Sequence, residues 1–77
     1  MSHKISMHRL TEKGHVRYYK VELIATLFGQ FSLEREYGNI SFRAPTGRKK
    51  NVFDTIEEAK TMFLKIVLQK ERRGYKR

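Results

Sequence analysis

Two segments of alternating apolar and polar residues, followed by one amphipathic segment, constrain the fold of this chain most strongly. Within residues 16–25, the side chains of Tyr19, Val21 and Leu23 fall on one side of an extended backbone. Residues 30–37 repeat this alternation. A period of two, with many β-branched and aromatic residues, predicts two β-strands. The break between them is too short for a crossover helix, so the strands are predicted to pair antiparallel.

Weaker signals predict further strands on either side of this pair. Residues 1–4 are expected to form a loose end, and residues 5–10 alternate only enough to predict a short strand. Residues 48–53 are polar and predict an edge strand, where lysines discourage aggregation with other sheets. Between the strands, Gly38 and Asn39 tolerate a positive φ and predict a tight turn or bulge.

The amphipathic segment near the C-terminus predicts a helix. Asp54 or Thr55 can cap it, since Glu57 or Glu58 stands three residues further on in each case. Gly74 is placed to end it. Helical spacing puts one stripe of apolar side chains in position to pack against a sheet: Ile56, Ala59, Phe63, Ile66 and Val67. The sequence therefore predicts an α+β fold, a small antiparallel β-sheet of four to five strands packed against one C-terminal α-helix.

Size and composition indicate one globular domain. The chain has 77 residues, 39% of them hydrophobic, and we divide it into an N-terminal segment with a short strand, residues 1–15, and a domain at residues 16–77. It has no cysteine, which excludes disulfides and suits a reducing compartment. No apolar run approaches the roughly 20 residues that a membrane span needs, and the first residues lack the apolar stretch of a signal peptide. We therefore expect a cytoplasmic protein without a membrane partner.

The basic residues are concentrated in the second half of the chain. Residues 1–36 hold six Lys or Arg and four Glu, a net charge of +2, and residues 37–77 hold eleven Lys or Arg and four Asp or Glu, a net charge of +7. The two halves give the total of +9. Such an excess is typical of proteins that bind polyanions, although a solvated basic surface gives the same count. Binders of anionic lipids usually have a helix with an uninterrupted basic face, and Glu57, Glu58 and Glu71 interrupt it here.

The sequence offers no catalytic constellation. His3, His8 and His15 lie near the N-terminus without metal-ligand spacing or cysteine partners, so no metal site is expected. Glu57 and Glu58 are explained by helix capping and by the helix dipole rather than by a catalytic role. We therefore expect no enzymatic activity, no metal and no cofactor.

A strand-end aromatic residue and the basic residues after it form the candidate binding site. Tyr37 ends a predicted strand, and Gly38 would leave the backbone beside it open to close approach. An aromatic ring in that position can stack on a base or a sugar, or it can simply complete the core. Four basic side chains near this strand end are candidates to reach phosphates: Arg43, Arg48, Lys49 and Lys50.

The C-terminal helix carries two further candidate surfaces. Three basic residues near its end either make secondary phosphate contacts or simply end the helix in solvent: Lys70, Arg72 and Arg73. Leu64 and Leu68 lie off the apolar stripe, one turn apart. These leucines either form a small homodimer contact or, as we expect, are covered by the N-terminal strand or by the loop of Leu27 and Phe28.

The order of these features resembles the WGR domain, a small module named after Trp-Gly-Arg and found beside the DNA-dependent poly(ADP-ribose) polymerases and alone in bacteria. The resemblance covers roughly residues 17–75. It rests on Tyr18-Tyr19-Lys20, Leu27-Phe28-Gly29, the alternation of Phe31, Leu33 and Arg35 into Tyr37-Gly38, Phe53, Glu57-Glu58-Ala59, Phe63, Lys70 and Arg73-Gly74-Tyr75. The chain is most similar to the small stand-alone bacterial members, in which one such domain is nearly the whole protein.

Two of the three name-giving residues differ in this chain. Tyr37 stands where the family has Trp, which keeps an aromatic face with less area, and Gly38 matches. Asn39 replaces Arg, which removes a cation with its bidentate donors and leaves a neutral hydrogen-bonding group. The loop that follows is longer than usual, and Arg43 or Arg48 is then the candidate to supply the lost charge.

The resemblance implies a non-catalytic nucleic-acid-binding module. In the polymerases the domain uses its Trp and Arg at DNA breaks, so DNA, double-stranded or with broken ends, is the partner expected here. We expect low sequence specificity and strong salt dependence. Two alternatives stay open. One is RNA, because stacking and basic charge suit both nucleic acids. The other is a protein–protein interaction module, and the oligomeric state expected is a monomer or a weak homodimer through the C-terminal helix.

Overall fold

Four strands and one helix make up the fold. The computed structural model describes residues 2–77, with the elements β1 (Ser2–Leu10), β2 (Val16–Ala25), β3 (Phe31–Asn39), β4 (Gly47–Phe53) and α1 (Ile56–Arg72). The strands form a single antiparallel sheet in chain order. The α+β fold predicted from the sequence is confirmed, with four strands. No helix in the described part of the chain is long and apolar enough to cross a membrane.

One face of the sheet carries the core, and α1 packs across it. Alternation along β2 puts Tyr19, Val21 and Leu23 on this face, where all three are buried. The apolar stripe predicted for the helix meets them, with Ile56 at its edge and four buried members: Ala59, Phe63, Ile66 and Val67. Met7 of β1 and Leu33 of β3 are buried in the same cluster. We call this face the helix side of the sheet and the opposite face the open side.

β1 is longer than the sequence indicates. It begins at Ser2 and pairs with β2 along its whole length. The loose end predicted at residues 1–4 is therefore wrong for residues 2–4, while Met1 lies outside the described residues. Backbone hydrogen bonds to a well-formed neighbouring strand order this segment, although its own side-chain pattern is weak.

β3 also runs further than the sequence indicates. Gly38 and Asn39 continue the ladder opposite Tyr18 and Arg17, so the turn or bulge predicted at these two residues is wrong. The chain changes direction over residues 40–46 instead. The pairing with β2 holds the backbone extended at a glycine that could equally have turned.

Packing, rather than backbone conformation, requires glycine at position 38. A Cβ atom on Gly38 would lie 2.9 Å from the backbone nitrogen of Thr46 and 3.3 Å from the Cα atom of Pro45. The loop is held there because the Thr46 N–H donates to the Tyr37 carbonyl at 2.8 Å. The close approach that this glycine permits is therefore made by the chain's own loop.

The end of α1 turns the chain back onto the sheet. Gly74 has a φ of +97°, and the N–H of Tyr75 donates to the Lys70 carbonyl at 3.0 Å, as in a Schellman motif. Lys76 then pairs with His8 of β1 through two backbone hydrogen bonds of 2.8 Å. The residues after the helix are thus docked at the edge of the sheet, close to the core.

The outer face of α1 is not covered. Leu64 is 58% exposed and Leu68 is 54% exposed, and the loop residues Leu27 and Phe28 are 100% and 88% exposed. The predicted cover of the two leucines is therefore wrong. The buried stripe fixes the rotation of α1 about its own axis, and that rotation leaves both leucines in solvent.

Of the two candidate helix caps, the structure selects Thr55. Its hydroxyl accepts from the Glu58 N–H at 3.2 Å and donates to the Glu58 carboxylate at 3.0 Å. Thr55→Ala is therefore expected to lower the free energy of unfolding by about 1 kcal/mol, measured by urea denaturation. Asp54→Ala is the matched control and should cost clearly less, because the Asp54 carboxylate accepts from the exposed Gln30 amide instead. An equal loss in both variants would contradict this assignment.

Candidate nucleic-acid interface

A cleft opens where the end of α1 meets the helix side of the sheet. Its centre is aromatic: the rings of Tyr19 and Tyr37 are stacked, with centroids 5.6 Å apart and planes at 8°, and Tyr75 meets Tyr19 edge-on at 6.1 Å. The cleft has a volume of about 270 Å³. Its other lining residues are Arg35, Lys49, Ile66, Gln69 and Lys70. We call it the tyrosine cleft.

The strand register explains why these side chains meet. Tyr19 on β2 stands directly opposite Tyr37 on β3, and Arg35, two residues earlier on β3, stands opposite Lys49 on β4. Residues two apart on a strand share a face. The aromatic pair and the basic pair therefore occupy neighbouring rungs on the helix side, and the last turn of α1 adds Lys70.

Two of the nearby cations lie against the aromatic rings. The Nζ atom of Lys70 is 4.5 Å from the centre of the Tyr19 ring, and the Cζ atom of Arg9 is 5.1 Å from the centre of the Tyr75 ring. Cation–π contacts at exposed sites contribute about 0.5–1 kcal/mol each. Arg9 also donates to the Arg73 carbonyl at 3.3 Å, which ties β1 to the end of α1. These contacts fix the positions of positive charges at the cleft.

The cleft concentrates positive charge without an acidic side chain in its lining. Partial burial lowers the pKa of Lys70, and nearby cations lower this pKa further, in the order Arg73, Arg35, Lys49 and Arg9. None of the described residues that line the cleft is Asp or Glu. The lowered pKa means that the surroundings disfavour the ammonium charge, although the end of a helix by itself favours a cation. An anion in the cleft would remove this repulsion.

The structure brings only part of the predicted basic cluster to the cleft. Lys49 lines it together with Tyr37. Arg48 and Lys50 stand on either side of Lys49 along β4, and alternation directs them to the open side. There the Nε atom of Arg48 forms an ion pair with the Glu36 carboxylate at 3.1 Å. One basic run in the sequence is thus divided between two faces.

The open side of the sheet carries charges of both signs. Its central hollow is bordered by Lys4, Lys20, Arg48, Lys50, Glu22, Glu34 and Glu36. Arg35 and Lys49 border this hollow as well as the tyrosine cleft. Each of them lies between two residues of its own strand that face the open side. Burial, and then the Glu36 carboxylate, raise the pKa of Tyr18 on this face. Within residues 2–77 no three His, Cys, Asp or Glu side chains are placed to hold a metal ion. The open side therefore differs from the tyrosine cleft in having acidic side chains among its cations.

Three more of the predicted site residues belong to the strand end and loop after Tyr37. Gly38 and Asn39 are buried, and the Asn39 side-chain oxygen accepts from the Ser41 N–H at 2.9 Å. Arg43 is exposed in the loop at residues 40–46. Asn39 thus helps to hold the loop that presents Arg43. The side-chain oxygen of Asn39 is already used in this hydrogen bond.

The three predicted basic residues at the end of α1 are also divided. Lys70 lines the tyrosine cleft, and Arg73 caps α1 close enough to Lys70 to lower its pKa. Arg72 is exposed and lines a groove on the outer face of the helix. The end of α1 therefore contributes cations to two different surfaces.

Sequence reasoning missed four aromatic or basic residues of the cleft and its rim: Arg9, Tyr19, Arg35 and Tyr75. The alternation along β3 places Arg35 on the same side as Tyr37, so the sequence contains the information needed to predict Arg35 as a site residue. The positions of Arg9 and Tyr75 depend on how the end of α1 returns to β1, which no local pattern shows.

Lys70→Met tests whether the folded state disfavours the Lys70 charge, through partial burial and then through the neighbouring cations. The variant removes a charge that the folded state disfavours and keeps an apolar contact with Tyr19. It is therefore expected to be at least as stable as the wild type at neutral pH. Lys70 holds its proton less tightly in the folded protein than in the unfolded chain. The charged side chain therefore destabilises the folded state in full at pH values below its lowered pKa. This destabilisation disappears as the pH rises towards the ordinary value of 10.5.

Urea denaturation of the wild type and of Lys70→Met across this alkaline interval measures the effect. The difference in the free energy of unfolding should shrink as the pH rises. Lys65→Met, at an exposed position on the same helix, is the matched control and should show a smaller difference. A Lys70→Met protein that is less stable than the wild type at every pH would contradict a repulsive cleft.

Comparison with known proteins identifies the family. The family model of the WGR domain matches residues 4–77, almost the whole chain. A search of curated proteins and a search of solved structures gave no significant match. WGR domains are generally nucleic-acid-binding modules. By this match, which agrees with the order of motifs along the sequence, the chain belongs to the WGR domain family.

Proposed function

We propose that this WGR domain binds DNA through the tyrosine cleft, without catalysing a reaction and without strong sequence specificity. The observation that carries the proposal is the gathering of Arg35, Lys49 and Lys70 around a tyrosine pair, with no acid among the described residues of the lining. The general role of the family supports a nucleic acid as the ligand. Arg43, exposed in the loop that follows β3, is a further candidate to reach a neighbouring phosphate.

The size and chemistry of the cleft suit a phosphate with its sugar. Its volume of about 270 Å³ is below the roughly 300–1,000 Å³ of pockets for drug-sized ligands. Lys49 and Lys70 can neutralise a phosphate, and the guanidinium of Arg35 has N–H groups beyond the one that donates to Asn51 at 3.1 Å. Half-buried Tyr37 offers a ring edge and a hydroxyl to the sugar.

Relief of repulsion adds to the affinity. In the free protein, partial burial and then the neighbouring cations lower the pKa of Lys70. A bound phosphate places negative charge among these cations and returns the pKa of Lys70 towards its ordinary value. The free domain therefore bears a destabilising charge cluster that the ligand neutralises, which is the arrangement expected of a binding site rather than of a structural ion pair.

Low sequence specificity follows from the type of contact. Phosphate contacts position a protein on nucleic acid, whereas sequence is read from base edges in the grooves. The tyrosine cleft is recessed between the sheet and α1, which suits the sugar–phosphate backbone better than a base edge. Stacking on an aromatic ring is tolerant of sequence as well.

The proposal is tested by fluorescence anisotropy with labelled duplex, nicked, blunt-ended and single-stranded DNA at low and at physiological salt. If about five phosphates are neutralised, the affinity for duplex should fall with a log–log salt slope near −4.5. Absence of binding to every form at low salt would overturn the proposal. Tighter binding to RNA of the same sequence would assign RNA as the ligand instead.

Two adjacent lysines on β4 provide a matched pair of variants. Lys49→Gln removes a cation that lines the cleft, whereas Lys50→Gln removes a cation that alternation directs to the open side. Lys49→Gln should weaken DNA binding about three- to tenfold at low salt and reduce the salt slope by about 0.9. Lys50→Gln should change both much less, and circular dichroism checks that both variants fold. Equal losses would show that net charge, rather than the cleft, determines binding.

A further inference from the structure

The outer face of α1 presents two exposed leucines beside two shallow grooves. Leu64 and Leu68 lie one helical turn apart and are 58% and 54% exposed. One groove, of about 340 Å³, runs between α1 and β1, with Ile5 and Phe63 among its lining residues. The other, of about 430 Å³, lies along α1 beside Leu68. Leu64 lines both grooves, so they form one continuous apolar surface, which we call the leucine face.

The rim of the leucine face is basic. Lys4 and Lys60 border the groove next to β1, and Lys65 and Arg72 border the groove along α1. Among the described residues that line the two grooves, none is Asp or Glu. The open side of the sheet differs, because lysines and glutamates stand side by side there. Lysine and arginine therefore predominate at the rim of this face, and the nearby acid at the end of α1, Glu71, is paired with Arg77 at 3.4 Å.

We propose that the leucine face binds an acidic amphipathic helix of a partner protein. Apolar side chains one turn apart on such a helix would fill the two grooves on either side of Leu64, which is the usual way in which a helix lies in an apolar groove. Carboxylates flanking that apolar stripe would pair with Lys60, Lys65 and Arg72 at the rim. The surface therefore selects its partner by shape at the centre and by charge at the edge.

The same features disfavour the other occupants. Nucleic acid would satisfy the rim cations but has no apolar side chains to cover the leucines. A second copy of this chain, with a net charge of +9, would bring its own cationic rim against this one in a two-fold symmetric contact. An acidic helix alone matches both the apolar strip and the charge of its rim.

The leucine face is separate from the tyrosine cleft. Leu68 and Lys70 are two residues apart on α1, which places their side chains about 200° apart around the helix axis. Gln69 borders both the cleft and the outer groove and so marks the boundary between them. A partner on the leucine face would leave Lys49 and Tyr37 free, and the inference does not depend on DNA binding at the cleft.

The test uses three synthetic peptides of about five helical turns. The first has leucines at helical spacing on one face and glutamates elsewhere, the second has the same composition in an order that scatters the leucines, and the third replaces the glutamates with lysines. Fluorescence anisotropy measures the affinity of each, and amide chemical shifts of the labelled domain locate the contact. We expect the first peptide to bind at least about tenfold more tightly than the others. Its shifts should centre on residues 60–68.

Two variants separate the surfaces. Leu64→Gln with Leu68→Gln should weaken binding of the first peptide by about tenfold or more. It should leave DNA binding unchanged, since neither leucine lines the tyrosine cleft. Lys49→Gln should leave the peptide affinity unchanged. Circular dichroism and thermal unfolding check that each variant is folded.

Four outcomes of the peptide and DNA titrations would overturn the inference. These are no binding of the first peptide, equal binding of the scattered peptide, chemical shifts centred on the tyrosine cleft, and chemical shifts at Leu64 and Leu68 on addition of DNA. A dimer in sedimentation experiments that the double leucine variant dissociates would assign the face to a second copy of the chain instead.

Discussion

The register between β2 and β3 is the constraint on which both the core and the cleft depend. It sets Tyr19 opposite Tyr37. The Tyr19 ring is buried in the core, and the Tyr37 ring stacks on it at the rim of the core. It also sets Leu23 opposite Leu33 beneath α1. On the next strand, Gly47 stands opposite Tyr37, and a Cβ atom there would collide with the tyrosine hydroxyl. A slip of one residue would move this whole face to the open side, so core burial itself holds the cleft in place.

The same register brings together charges that repel one another. Arg35 and Lys49 are paired across β3 and β4, and the end of α1 places Lys70 and Arg73 near them. Lys70 is held there by its contact with the Tyr19 ring, and Arg73 by the helix end, which turns back to β1. The stability of the hydrophobic interior therefore maintains an arrangement that is electrostatically unfavourable without a ligand. This combination is expected where function, rather than stability, determines the charges.

Local sequence patterns are sufficient for the elements of this fold and insufficient for their junctions. Spacing alone predicts the buried stripe of α1, and it narrows the cap to two residues, of which Thr55 is the one used. The extension of β3 through Asn39 depends on pairing with Arg17 and Tyr18 of β2, about 20 residues earlier in the chain, which no local pattern around Asn39 shows. Alternation separates Lys49 from Lys50, but only the register and the side covered by α1 decide which of them meets Tyr37. The candidate site therefore combines residues that a linear motif groups differently.

A net charge of +9 attracts every polyanion, so charge alone gives this domain little selectivity. Selectivity has to come from the groups that the cations surround. Around Tyr37 the cations enclose ring edges and a narrow cleft, which fit a sugar–phosphate backbone. Around Leu64 they enclose apolar grooves, which fit the side chains of a helix. Because screening by salt acts mainly on exposed charges, the uncharged centre of each surface contributes a growing share of the affinity as the ionic strength rises. On these proposals, the two surfaces share one electrostatic field and still differ in the partners that they suit.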